Sequence, residues 1–197
     1  MNGPSYIKVK PIPAADLCAL VPIGGGARAL LQPGMAAAPF FEALTQQSLF
    51  LDAVRFLSVA LPAREAVWWA CVCARETLPA DAPLAVADAL QAAEAWVYRP
   101  SEGGRRAAKT AADAARLETA AAWSAIAAFW SGGSITAPGT PAVEPDGKLL
   151  PAAVSGAVLL AAVQREPHRA EERYRGFLAA GTDIANGGNG KPTARAG

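Results

Sequence analysis

Proline and glycine recur through this sequence at short intervals, and that spacing limits what the chain can fold into. Pro22 with Gly24 to Gly26, Pro33-Gly34, Pro62, Pro79, Pro100, Gly132-Gly133 and Pro167 divide it into short pieces. Each either removes a backbone donor or frees the backbone to leave a helix. Between these breaks the segments are rich in alanine and repeat their apolar residues at the helical period. The alternation of β-branched and polar residues that marks a strand is confined to Tyr6 to Val9. The expected fold is all-α, a compact helical domain of about seven to ten short helices packed as antiparallel hairpins.

The periodic stretches predict helices over Ala14–Leu20, Gly26–Leu31, Ala36–Gln46, Leu49–Ala60, Ala63–Leu78, Pro83–Tyr98, Ser101–Ala115, Thr119–Trp130, Pro151–Arg165 and His168–Asn186. Pro62 and Pro83 suit first helical turns, where a missing N–H costs nothing, and Ser101 and Asp81 are candidate caps for the helices that follow. Pro/Gly-rich SGGSITAPGTPAVEPDGKLL, Ser131 to Leu150, reads as one long ordered or semi-extended loop. The chain then divides into an N-terminal arm (1–13), a single helical domain (14–187, with the loop at 131–150) and a tail, GGNGKPTARAG, expected to be disordered and dispensable (188–197).

A length of 197 residues suits one domain with its own core. A net charge of +1 with 18% charged residues creates no field of one sign, which disfavours nucleic acid or an anionic membrane as partner. Cys18, Cys71 and Cys73 are odd in number and lack framework spacing, so a reducing, cytoplasmic setting is expected. Pro11, Pro13 and Asp16 interrupt what would otherwise be the apolar run of an export signal. The longest apolar runs, Ala120 to Trp130 and Pro151 to Val163, fall short of the roughly 20 residues that span a bilayer, and read as buried core helices rather than membrane insertions.

The densest local pattern is LPAREAVWWACVCARE, Leu61 to Glu76. On a helix it places Ala66, Val67, Ala70, Cys73 and Ala74 on one side, and Arg64, Glu65, Trp68, Val72, Arg75 and Glu76 on the other. Small side chains let a neighbouring helix approach closely, so the alanine side is the packing seam. Across from it, Arg64 and Arg75 stand at i−4 and i+7 from Trp68, a spacing that lets guanidinium groups lie over the indole, and Trp with Arg is the composition of binding hot spots. The plainer alternative packs both tryptophans under neighbouring helices and pairs the arginines with Glu65 and Glu76.

Other candidates carry less chemistry. Cys71 and Cys73, two apart on a helix, diverge too far to share a disulfide or a metal; Cys71 would be reactive only if Arg64 or Arg75 lowered its pKa. His168 is the single histidine and stands at a helix start, which argues against a metal site or a His-based triad. GGGAR at Gly24 and SGGS at Ser131 lack the strand before and the GK[ST] after that a phosphate loop requires. Gly132-Gly133 reads as a left-handed helix terminus, with the alternative that WSGGSITAPG exposes Trp130 and an extended edge to a partner. Glu171 and Glu172 alternate with Arg169, Arg173 and Arg175 as a solvated, salt-bridged face.

LPAREAVWWACVCAR (Leu61–Arg75), AAFWSGGSITAPG (Ala127–Gly139) and GAVLLAAV with AEERYRGFLAAGTDIANGG (within Gly156–Gly188) together resemble an uncharacterised family of proteobacterial all-helical proteins of unknown function, some members of which lie near type VI secretion genes. The resemblance runs from about Ala14 onward and implies no catalytic residues. WWACVCARETLP, ALQAAEAWVYRP and RRAAKTAADAA, between Trp68 and Ala115, are similar to the stacked helices of bacterial immunity proteins, partly through alanine content.

The function expected from all this is a non-enzymatic protein–protein interaction module. The resemblance implies an adaptor or accessory protein of type VI secretion, bound to a secretion component or effector. The expected contacts are Arg64, Trp68, Arg75, Trp130, Ser134 and Pro138, with no cofactor and no metal. Two alternatives stand beside it: an immunity-type protein that binds a cognate toxin, and an enzyme gathering Arg64, Glu65, Arg75 and His168 around a cleft.

Overall fold

A computed structural model describes residues 6–191, so the first residues of the expected arm (1–5) and the last of the expected tail (192–197) lie outside the described residues. Ten α-helices follow one another: α1 (Ala14–Cys18), α2 (Gly25–Arg28), α3 (Ala37–Gln46), α4 (Phe50–Ala60), α5 (Ala63–Thr77), α6 (Leu84–Tyr98), α7 (Glu102–Ala115), α8 (Ala120–Phe129), α9 (Leu149–Val163) and α10 (Ala170–Ala185), the last preceded by a 3₁₀ turn, Pro167–Arg169. The fold is all-α, with no strand among the described residues. Tyr6 to Val9 turns instead of extending, its Val9 N–H donating to Tyr6 O over 2.9 Å.

Local chemistry explains the helix starts. Ser101 Oγ accepts from Gly104 N–H (3.0 Å) and Thr119 Oγ1 from Ala122 N–H (3.2 Å), each satisfying a donor that has no partner within its own helix. Pro62 and Pro83 stand one residue before α5 and α6. Asp81 caps nothing, since α6 begins at Leu84 with Pro83 at the cap position and no side-chain bond there. Gly187, at φ +91°, ends the run beyond α10 in the left-handed conformation that glycine adopts without strain.

Helix α8 is the centre of the domain. Every one of its residues except Trp123 is buried, and α5, α6, α7 and α9 surround it. Alanine makes this possible, because methyl side chains let backbones approach closely on several sides at once. Successive pairs α6/α7, α7/α8 and α8/α9 pack side by side as hairpins, while α4 and α5 cover α9, and α10 turns across α4 and α5. The chain bends by 112° between α9 and the segment beginning at Pro167, and among the described residues no single helix is long and apolar enough to cross a membrane. At the other end Phe40 of α3 meets Phe56 of α4 edge-on at 4.8 Å.

The first and last described residues are strapped onto this core. Lys8 N–H donates to Ala185 O and Lys10 N–H to Ala60 O, both over 2.9 Å, and Tyr6 N–H donates to Asn186 Oδ1 over 2.8 Å. The ordered chain also continues past the expected start of the disordered tail at 188. Gly188 N–H donates to Asp183 O, Gly190 N–H to Asp183 Oδ2, both over 2.8 Å, and Gly190 is buried. The stretch lacks apolar bulk, but one aspartate on the last turn of α10 binds its backbone.

Candidate functional site

Helix α5 divides its aromatic pair between core and surface. Trp69 is fully buried with Ala66, Val67, Ala70, Cys71, Cys73 and Ala74, and its Nε1–H donates to Phe177 O over 2.7 Å. Trp68 lies at the edge, half-buried, and donates to Asn189 O over 2.8 Å. Beside it Tyr98, 64% exposed at the end of α6, brings its ring to 5.7 Å from the indole.

These rings line a cleft of about 350 Å³ formed by Arg64, Glu65 and Trp68 of α5, the end of α6, Lys8 of the arm and the residues after α10. Three cations, Lys8, Arg64 and Lys191, face one carboxylate, Glu65. Lys8 pairs with Glu65 at 3.3 Å, and Lys191 Nζ stands 5.7 Å from the centre of the Trp68 ring.

The stacking expected of Arg64 and Arg75 on Trp68 does not occur, and Lys191 takes that place. Arg64 Nε donates to Val97 O over 2.7 Å, drawn there because the last carbonyls of α6 have no helical partner. Arg75 reaches Glu94 on α6 with a two-pronged contact of 3.1 and 2.6 Å and lies outside the cleft. The alternative pairing of the arginines with Glu65 and Glu76 is corrected in the same way: a carboxylate on another helix, and a helix end, compete better than neighbours on the same turn.

The long loop is held from α7. Arg105, 3% exposed, sends Nη1–H to Phe129 O (2.6 Å) and Nη2–H to Ser134 O (2.6 Å), while Glu102 accepts from its Nε (2.7 Å) and Nη2 (2.8 Å). Its guanidinium lies 4.6 Å from the Phe129 ring centre. Arg106 adds a bond to Thr136 O at 3.0 Å. Glu102, braced first by its hydrogen bond from Arg105, has its carboxyl pKa held down at about 2. Position 133 favours glycine: its φ is +64° and a Cβ would stand 3.1 Å from Arg105 Nε.

The extended edge expected in WSGGSITAPG is consumed inside the loop. Ile135 N–H donates to Val143 O (2.8 Å), and Ser134 Oγ accepts from Val143 N–H (3.1 Å). Ser134 is therefore a structural residue, Pro138 is an exposed turn, and Trp130 is half-buried in a separate cleft of about 310 Å³ with Glu144 and Asp146. Of the six expected contact residues, only Arg64 and Trp68 share a cleft.

The residues offered as a catalytic set do not converge. Arg64 and Glu65 line the Trp68 cleft, but Arg75 and His168, exposed on the 3₁₀ turn, do not. Burial pushes the Cys71 and Cys73 thiols well up, against the smaller downward pull of Arg75 on Cys71. The Gly24 loop binds a carboxylate of its own chain, Gly24 N–H donating to Asp52 Oδ1 over 2.9 Å. Among the described residues no three His, Cys, Asp or Glu side chains are grouped to hold a metal.

Tyr98, Lys8, Asn189 and Lys191 were not legible as site residues. Their approach to Trp68 depends on the arm and the chain end folding over α5. Arg105 carried no signal beyond its place in an arginine pair after a capping serine.

These features define an alanine-rich, all-helical domain with an aromatic, cation-lined cleft between its chain ends. Residues 40–185 match the family described as Family of unknown function (DUF6931), and the chain belongs to it. No curated protein and no solved structure matches it. The match spans α3 to α10, so the arm and the segment after α10, which complete the Trp68 cleft, fall outside it.

Proposed function

We propose that this domain is a non-enzymatic protein-interaction module that docks an acidic segment of a partner protein in the Trp68–Tyr98 cleft. One observation carries the reading: an aromatic pair, exposed Tyr98 and half-buried Trp68, lines a cleft with three cations and one carboxylate. Aromatic rings supply contact area with little lost conformational freedom, and the cations favour an acidic segment. The resemblance to proteins encoded near type VI secretion genes makes a secretion component or effector the first partner to test. A cytoplasmic setting belongs to the same reading, supported by three free thiols.

The test is affinity purification from the native host with wild type, Tyr98→Ala and Lys191→Glu, both changes at the cleft rim, after circular dichroism and melting show unchanged folding. The reading expects one acidic partner captured by wild type and lost by both variants, then rebound as purified protein with an affinity that falls as salt rises. Capture equal in all three proteins, or affinity indifferent to salt, overturns the cleft as the docking site. A toxin as partner, with protection on co-expression, would replace the adaptor role by an immunity role.

A further inference from the structure

A cavity of about 550 Å³ lies on another face, between the α5–α6 turn and the α7–α8 turn. Its walls are apolar and low, with Ala74, Leu78, Val86, Ala115, Ala120 and Ala121 among them. Arg116 and Glu118 of the α7–α8 turn and Gln164 and Arg165 after α9 also line it, and Gln164 Nε2–H donates to Glu118 O over 3.4 Å. A half-enclosed apolar trough of this volume with a few convergent polar groups is the usual form of a small-molecule site.

Two observations say what would fill it. Nearly every other arginine among the described residues holds a carboxylate or a carbonyl of the chain, whereas Arg116 and Arg165 make no ion pair or side-chain hydrogen bond among those residues. Arg116 also stands at φ +54°, ψ 153°, at the end of α7, where glycine is the relaxed choice and an arginine is strained. Strain of this kind, at the mouth of a cavity, points to a side chain held there for use. Glu118 lines the trough without pairing with either, so the two guanidiniums and one carboxylate give its lining a net charge of +1.

We propose that this trough binds a small amphipathic monocarboxylate, with its hydrocarbon chain along the alanine wall and its carboxylate received by Arg116 and Arg165. A planar carboxylate matches the guanidinium fork, and a single negative charge matches the single uncompensated positive one. The site is independent of the Trp68 cleft and stands or falls without it.

The test is calorimetric titration of the full chain with octanoate, decanoate and dodecanoate below their micelle-forming concentrations, and with the alcohols of equal length. The proposal expects one saturable site, about fourfold tighter for each added methylene. The alcohols should bind roughly tenfold more weakly or worse. Arg116→Gly and Arg165→Gln should each weaken dodecanoate roughly tenfold, while Arg99→Gln, at the far end of α6, leaves it unchanged. Arg116→Gly should melt no lower than wild type, because glycine relieves the left-handed strain, so lost binding in that variant is not lost folding. No saturable binding, alcohols bound as tightly as acids, or affinity unchanged in both arginine variants overturns the proposal.

Discussion

Gly181 of α10 lies directly against the indole of Trp69: a Cβ added to Gly181 would stand 2.9 Å from Cε2 of the ring and 2.5 Å from Cδ2 of Leu57. One turn earlier on the same helix, Phe177 O accepts the hydrogen bond of that indole over 2.7 Å. A single ring thus sets both the distance and the register between α5 and α10.

Gly181→Ala should therefore destabilise the fold by about 1–3 kcal/mol through overpacking. Gly176 lies on the same helix with open space around its Cα, so Gly176→Ala should stabilise by about 0.5–1 kcal/mol through helix propensity. Urea unfolding of the two variants reads the opposite signs directly. Equal effects would mean that α10 does not approach Trp69 as closely as described.

Removing the Arg105 guanidinium should release the loop. Arg105→Met leaves Phe129 O without its charged donor and Ser134 O with only the longer bond from Arg106 Nη2 (3.3 Å), at a cost of about 2–4 kcal/mol. Arg106, 29% exposed in its side chain, should cost less than about 1 kcal/mol as Arg106→Gln. Hydrogen exchange at Ile135 and Val143 should quicken markedly in the first variant and little in the second.

The same clamp predicts an acid limb. The Glu102 carboxyl is held down at about 2, below the roughly 4.3 of an unfolded glutamate, so its ionised form favours the folded state. That contribution is complete above about pH 5, shrinks as pH falls, and is gone once pH passes the folded value. The stability difference between wild type and Glu102→Gln should be constant near neutrality and close towards zero by about pH 2. A difference that does not vary with pH would show that the carboxylate is not held by Arg105.

The cysteines should be inert in the native protein. Burial raises Cys71 and Cys73 well above an ordinary thiol and pushes half-buried Cys18 up to about 11. Maleimide at neutral pH should label Cys18 slowly and the other two only after denaturation, as mass spectrometry of the labelled peptides would read. Rapid native labelling at Cys71 would mean that α5 opens.

Much of the fold was legible because its rules are local. Pro62, Pro83, Ser101 and the glycines after Trp130 act on their own turns, and the helices begin and end within a few residues of where those signals place them. The candidate site was legible only in part. Arg64 and Trp68 share a cleft, but Arg75 turns to Glu94, and Ser134 spends its hydroxyl inside the loop and its carbonyl on Arg105. A helical spacing tells which side chains can meet on one helix, not which distant carbonyl or carboxylate will draw them away.

The sequence by itself determined an all-helical chain, its breaks, a core of alanine helices and a long Pro/Gly-rich loop, because backbone propensity and periodicity are properties of neighbouring residues. Only the tertiary structure decided that Trp69 is core and Trp68 half-buried at the edge, that Arg105 is buried, that Gly188–Lys191 folds back onto α10 and α5, and that Arg116 and Arg165 line one trough. Those outcomes depend on groups far apart in the chain competing for the same partners, and that competition is settled only when the helices pack.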